Sequence, residues 1–169
     1  MEIDSLKALY LCGLQEFCDG EAQLAQGLAA KPASGNSAQV RYAVEGHAAQ
    51  TADHEKRVED ILRRHGTSRQ QGCDEVAAAL LRSAEKTSAL LCSADLQDAA
   101  LIASLRRIKH HEIADCTTIA AYAAALLLEI DRRTLLGILA EKRAADLELE
   151  GFEGAANQLA LLVSIPAYA

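Results

Sequence analysis

Apolar residues recur every three or four positions along the first part of the chain, which is the spacing of one face of an α-helix. Between residues 6 and 28 this face carries Leu6, Tyr10, Leu14, Phe17, Glu21, Leu24 and Leu28. The pattern predicts that Glu21 points into a core. A carboxylate there is costly unless a metal ion, a proton or a cation neutralises it.

Two further stripes also carry ionisable residues on an apolar face. One consists of Leu101, Leu105, Ile108, Glu112, Cys116 and Ile119. The other consists of Val40, Val44, His47, Thr51, His54, Val58 and Ile61. Inward carboxylates and histidines on several helices are what a metal site inside a helical bundle requires.

The periodic segments predict four long helices and one shorter helix. Their expected ranges are 4–31, 37–65, 74–92, 96–126 and 131–150. Asp4, Asp95 and Asp131 are candidate N-caps, and Gly66 is a candidate stop after the second helix. The segment 32–36, which includes a proline and a glycine, predicts a break. Gly151 and Gly154 predict the end of the last long helix, before a final apolar segment that runs through residue 162.

The composition agrees with an all-α fold. Half of the 169 residues are hydrophobic, yet only 4% are aromatic, and no strand-period alternation occurs. We expect one domain over residues 1–169. Two helical hairpins joined by a connection that contains the shorter helix are typical of a ferritin-like four-helix bundle.

Charge and cysteine content narrow the functional classes. The net charge of −7 argues against nucleic-acid binding, and no apolar run is long enough for a membrane span. The five cysteines form no CxxC pair, which favours free thiols in a reducing cytosol. The acidic N-terminus lacks the apolar region of a signal peptide, so we expect a cytoplasmic protein.

Several short motifs resemble the bacterial YciE/YciF family of ferritin-like proteins. They are EAQL at 21–24, HAAQT at 47–51, RVE at 57–59, DAALIA at 98–103, KHHEIA at 109–114 and EKRAAD at 141–146. The resemblance covers about residues 4–150. It implies a dimeric, stress-associated protein similar to di-iron or di-manganese carboxylate proteins.

By this resemblance, part of the family's metal-ligand set is retained. The retained acidic positions are Glu21, Glu112, Glu141 and Asp146. His54 stands where the family commonly has a glutamine, and it would supply one further ligand. His111 replaces the family's usual tyrosine.

Three acidic positions of the family are lost: Gln50, Lys109 and Lys142 stand where it has glutamates. Lys109 and Glu112 are three residues apart and share a helix face. Three states of the core follow: an intact di-metal centre, a single ion held by Glu21, His54 and Glu112, or a metal-free core held by Lys–Glu pairs. We expect the metal-free core, because a lysine repels a dication but neutralises a carboxylate. The two lysines could instead extend to solvent, which would leave the carboxylates unpaired.

Neighbouring polar residues have simpler interpretations. We interpret His47 as a hydrogen-bonded core residue with Thr51 as its partner, within a core charge network that also includes Gln50, Lys109 and Lys142. His110 is predicted on the helix surface, and Cys116 is predicted as a buried thiol.

The favoured function is a non-catalytic, dimeric, stress-associated scaffold with ion pairs in place of metal. The alternative is a non-haem iron or manganese protein that acts on oxygen or peroxide. An ordinary hydrolase or transferase is disfavoured, because the chain lacks GxSxG, P-loop, HExxH and dinucleotide motifs. We expect a homodimer that uses the apolar band 119–128, where Tyr122 and Leu126 flank Ala123.

Overall fold

A computed structural model describes residues 3–29 and 37–164, without the side chains of 29, 163 and 164. This part of the chain contains five helices: α1 (Leu6–Ala29), α2 (Ala38–Arg64), α3 (Glu75–Ser88), α4 (Ala94–Ala125) and α5 (Glu129–Ser164). The all-α prediction is confirmed, with the shorter α3 in the predicted place. The predicted break at 32–36, with Pro32, and the expected last residues of the first helix lie outside the described residues.

Serines, rather than the predicted aspartates, stand at two helix starts. The hydroxyl of Ser5, not Asp4, accepts a hydrogen bond from a backbone N–H three residues later at the start of α1. At α4 the cap is Ser93 rather than Asp95. Because serine and aspartate cap helices about equally well, the residue types alone did not separate such close neighbours. The prediction for Gly66 fits its positive φ of 70°, since glycine adopts this conformation without strain.

The last helix differs most from the prediction. It begins at Glu129, two residues before Asp131, and continues unbroken through Gly151 and Gly154 to Ser164. Leu149 and Ala156 on either side of the glycines are buried in one apolar cluster. This packing outweighs the roughly 1 kcal/mol that each glycine costs in a helix interior.

Two apolar clusters lie at opposite ends of the bundle. The first joins the start of α1 and of α5 to the ends of α2 and α4, and includes Tyr10, Ile61, Ile119 and Leu135. The second joins the opposite helix ends, and includes Leu28, Val44, Ile102 and Leu149. α2 and α4 therefore run in the same direction, so the segment between them must return along the bundle. α3 lies in this connection and packs on α1 and α4 through Ala77, Leu24 and Ile108.

The predicted dimer surface is largely internal. Ile119, Ala120 and Ala123 are buried in the first apolar cluster, and Tyr122 and Leu126 pack against it. The exposed residues of the band 119–128 are Ala121, Ala124, Ala125 and Leu127, and the leucine is 88% exposed. The residues predicted as the exposed centre of the interface, Tyr122, Ala123 and Leu126, thus serve the protein's own core, and the use of this band in a homodimer stays a prediction. Among the described helices, none combines the length and the apolarity that a bilayer span needs.

Candidate functional site: a buried ion cluster

Four charged side chains meet between the two apolar clusters. Lys142 on α5 is fully buried, and its ammonium lies 2.7 and 2.9 Å from the two carboxylate oxygens of Glu21 on α1. The same ammonium donates to Oε1 of Glu112 on α4 at 2.8 Å. One lysine therefore bridges two carboxylates that come from two other helices.

A second lysine completes the cluster. Lys109, one turn before Glu112 on α4, places Nζ 2.8 Å from Glu112 Oε2, and both side chains are 2% exposed. Neither Lys109 nor Lys142 extends to solvent. Two ammonium groups and two carboxylates give this central ion cluster a net charge of zero, which is the condition for keeping ions in a bundle interior.

The surroundings shift the protonation of the cluster. Burial works against ionised Glu112, but Lys142 and Lys109 outweigh it and hold the pKa of Glu112 well below its usual range. Burial also opposes the charge on Lys142, yet Glu21 and Glu112 raise the pKa of this lysine. Burial, with the repulsion from Glu112, raises the pKa of Glu21 despite Lys142. Glu112 is therefore the better stabilised of the two carboxylates.

His54 connects the central ion cluster to the rim of the bundle. Its Nδ1 lies 3.5 Å from Glu21 Oε2, and its Nε2 lies 2.8 Å from Glu141 Oε2. Glu141 is 40% exposed and also binds Arg57 of α2 at 2.9 Å. Burial opposes ionisation of Glu141, but the bonds from His54 and Arg57 lower the pKa of this carboxylate. Arg57 was not predicted here, although its place seven residues before Arg64 on α2 marks it as facing α5.

His47 is buried as expected, but Thr51 does not bind it. Nε2 of His47 and the hydroxyl of Thr51 are both buried without a hydrogen-bond partner among the described residues. The predicted His47–Thr51 bond is therefore wrong, because sharing a helix face does not fix the rotamers that a hydrogen bond needs. Gln50 is half-buried and lines a cleft of about 340 Å³ with His47 and Glu141.

Asp146 does not join the central ion cluster. Its carboxylate binds Arg106 at 3.3 Å and lies 3.5 Å from the exposed His110. Arg106 also binds Glu153 further along α5. Asp146 is thus part of an α4–α5 ion network near the surface, because both of its partners lie on α4. The solvent-facing position predicted for His110 agrees with its 62% exposed side chain.

Asp131 forms a second buried ion site that the sequence did not reveal. It accepts hydrogen bonds from the hydroxyl of Tyr10 at 2.9 Å and from Arg64 at 2.8 Å, and lies 2.6 Å from His65 Nε2. Burial opposes its charge, but these three partners lower the pKa of Asp131. Asp131 is therefore an anchor between α1, α2 and α5 rather than a helix cap. The adjacent Arg64 and His65 at a helix end were the only sequence signal for such a partner.

The residues present do not fit a di-metal carboxylate centre. Such a centre in a bundle uses four carboxylates and two histidines. Here the ammonium of Lys142 lies directly between Glu21 and Glu112, where it would repel a dication. Glu21, Glu112 and His54 remain the three side chains closest to a ligand set, while Glu141 is engaged by Arg57 and Asp146 by Arg106.

Comparison with known proteins places this chain in a family. Residues 5–160 match a family described as a domain of unknown function, DUF892. The chain is 24% identical over 157 residues to Protein YciF of Escherichia coli strain K12, covering 88% of this chain and 90% of that protein.

Solved structures give the same picture of the fold. The crystal structure of the E. coli stress protein YciF matches with a TM-score of 0.86 and 20% identity, over 92% of this chain and 98% of that one. YcfI from Rhodopseudomonas palustris, provisionally described as a structural protein, matches with a TM-score of 0.84 and 23% identity, over 88% and 95% of the two chains. The chain therefore belongs to the DUF892 family and is a ferritin-like helical bundle of the YciE/YciF type.

Proposed function

We propose that this protein is a metal-free, non-catalytic structural member of its family. In it, the central ion cluster links the helices in the place where a metal ion would otherwise link them. The observation that carries the proposal is the ammonium of Lys142, which lies within 2.9 Å of both oxygens of Glu21 and 2.8 Å from Glu112. It links two helices through their carboxylates, as a bridging metal ion would. The ammonium offers no open coordination position, so it holds the helices together without supplying redox chemistry.

The biological setting of the proposal comes from the relatives. The E. coli relative is described as a stress protein, and the R. palustris relative is provisionally described as structural. We extend both descriptions to this chain and propose a stress-associated cytoplasmic homodimer. A fold whose central charges neutralise each other needs no metal supply in order to stay assembled, which suits a structural role under stress.

Metal analysis of untagged protein tests the proposal. We expect well below one equivalent of iron or manganese per chain after expression in metal-supplemented medium. Lys142→Glu is the matched variant, because it restores a carboxylate and removes the central cation; it should retain more of either metal than the wild type. Two iron or manganese ions per wild-type chain, lost on Glu21→Gln or Glu112→Gln substitution, would refute the ion-cluster proposal.

One observation favours a second candidate, a non-haem iron or manganese protein. Nδ1 of His54 is buried without a hydrogen bond, 3.5 Å from Glu21. A single ion between His54, Glu21 and Glu112 would use this nitrogen if Lys142 moved away. The same metal analysis separates the two candidates, since this one requires one ion per chain that His54→Gln removes.

A further inference from the structure

A second group of metal-ligating side chains lies outside the bundle core, where α3 begins beside α4. It consists of Asp74, His111 and Asp115, whose nearest ligand atoms all lie within 4.8 Å of one another. His111 and Asp115 are one turn apart on α4. Their face of the helix differs from the one that carries Lys109 and Glu112, so this outer group is separate from the central ion cluster.

The distances in the outer group suit metal ligands better than hydrogen bonds. Nε2 of His111 lies 3.4 Å from Asp74 Oδ2 and 3.3 Å from Asp115 Oδ2. Good N–H···O bonds are about 2.7–3.2 Å long. Tetrahedral zinc with bonds of about 2.0–2.1 Å places neighbouring ligand atoms about 3.3 Å apart. The distances from His111 Nε2 to the two carboxylate oxygens therefore match the distance between neighbouring ligand atoms around a tetrahedral zinc ion.

The outer group also carries excess negative charge. Glu16 on α1 adds to this charge, since burial and the negative charges of Asp74 and Asp115 raise the pKa of Glu16. Burial, Asp74 and Glu112 likewise raise the pKa of Asp115, with only His111 acting against them. Among the described residues, no lysine or arginine lies within salt-bridge distance of these carboxylates. Three carboxylates thus share at most one positive charge, on His111.

The carboxylate of Asp74 is held in place before any ion binds. Asp74 is only 7% exposed, and its Oδ1 accepts the capping hydrogen bond from Ala77 N–H at 2.8 Å. The other oxygen, Oδ2, points toward His111. A side chain at position 20 would collide with Oδ2, so the glycine of α1 makes room for it. One oxygen of Asp74 therefore fixes α3, while the other is directed at the outer group.

We propose that Asp74, His111 and Asp115 bind a divalent transition-metal ion such as zinc as three protein ligands, with the fourth coordination position open to solvent. Imidazole with carboxylates suits zinc and its neighbours, whereas Mg²⁺ and Ca²⁺ take oxygen ligands. Bound there, the ion joins the N-terminus of α3 to α4 and fixes the connecting helix against the bundle. It neutralises the carboxylates and involves no change of oxidation state.

Calorimetric titration of chelator-treated, full-length protein with Zn²⁺ alone tests the site. We expect one zinc ion per chain at micromolar affinity or better, and a higher melting temperature with zinc. His111→Gln and Asp115→Asn should each weaken binding at least tenfold. His110→Gln is the matched control, because it removes the adjacent solvent-facing histidine of the same helix and should leave zinc binding unchanged.

Defined outcomes would overturn this site. Zinc binding weaker than millimolar in the wild type would do so. So would binding that is unchanged in both folded variants, or that is lost equally in His110→Gln. Loss on Cys73→Ser but not on His111→Gln would place the ion at the neighbouring thiol instead. Iron and manganese analysis of the central ion cluster is a separate measurement, since neither variant touches Glu21 or Glu112.

Discussion

Lys142 sets the stability of the core at the scale of single residues. Lys142→Met leaves Glu21 and part of Glu112 buried without a counter-charge, so we expect a loss of about 3–5 kcal/mol in the free energy of unfolding. Lys109→Met should be milder, because Lys142 still pairs with Glu112. Urea denaturation measures both. Lys56 is exposed, so Lys56→Met is the control and is expected within about 0.5 kcal/mol of the wild type. A neutral Lys142→Met would contradict an ionised central cluster.

His47 makes the stability depend on pH. Burial, with the nearby Lys109, lowers the pKa of His47 to about 4. Its pKa in the unfolded chain is near 6.5, so the unfolded state binds the proton more tightly. The stabilisation is complete above pH 6.5 and is lost as the pH falls toward 4. Relative to His47→Gln, we expect the wild type to lose about 3 kcal/mol over this range.

Denaturation curves of wild type and His47→Gln at matched pH values check this expectation. Comparing the two proteins cancels the remaining histidines, including His111, whose pKa is raised by the nearby carboxylates of Asp74 and Asp115 and which therefore acts in the opposite direction. Parallel pH profiles of the two proteins would show that His47 is not the group responsible.

At this scale the sequence predicted which side chains are buried better than it predicted which side chains bind each other. Helical spacing was enough to predict that Glu21 and Glu112 are buried, because it fixes which residues share a helix face. The partner of Asp146 could not be read in the same way, since it depends on where Arg106 extends from a second helix. The His47–Thr51 bond failed on rotamers, which spacing does not specify.

At the scale of helices, two glycines should respond to alanine in opposite ways. Nothing lies near a Cβ at Gly151, and the helix continues through it, so Gly151→Ala should stabilise by about 0.5–1 kcal/mol. At Gly20 a Cβ collides with the Asp74 carboxylate that caps α3, so Gly20→Ala should destabilise by about 1–3 kcal/mol. Thermal melts of both variants check the pair. Destabilisation by Gly151→Ala would contradict a continuous α5.

Helix positions were predictable to within a few residues because apolar periodicity is a local property of the sequence. The exception is α5, where local propensity favoured an end near Gly151 and burial of Ala156 and Ala160 overrode it. Burial of this kind depends on the neighbouring helices, which no local window contains.

At the scale of the whole molecule, association remains a prediction. We expect a homodimer by light scattering at micromolar concentration, and a monomer would contradict the proposed scaffold. The exposed residues of the band 119–128 are Ala121, Ala124, Ala125 and Leu127, and one leucine among alanines is too small an apolar surface for a stable interface. Leu127→Glu should therefore leave the dimer intact. If this variant dissociates the dimer, the band 119–128 is part of the interface.

The ferritin-like architecture followed from the number, length and order of the helices together with the family motifs, and the structural relatives confirm it. The interface could not follow in the same way. An apolar band has the same sequence pattern whether it packs in the chain's own core or against a partner chain. Ala123 proved to lie in the core.

The central ion cluster also bears on how the two hairpins align. Glu21 and Lys142 are 121 positions apart in sequence and meet only when the hairpins dock. If α5 slid along α1 by one helical turn, about 5.4 Å, Lys142 would face apolar side chains and Glu21 would lose its cation. Alanine and leucine layers alone penalise such a slip far less. We expect a version with leucine at 21 and 112 and methionine at 109 and 142 to be as stable, yet to populate more than one register, visible as doubled amide signals in NMR spectra. A single set of signals would assign the register to the apolar layers instead.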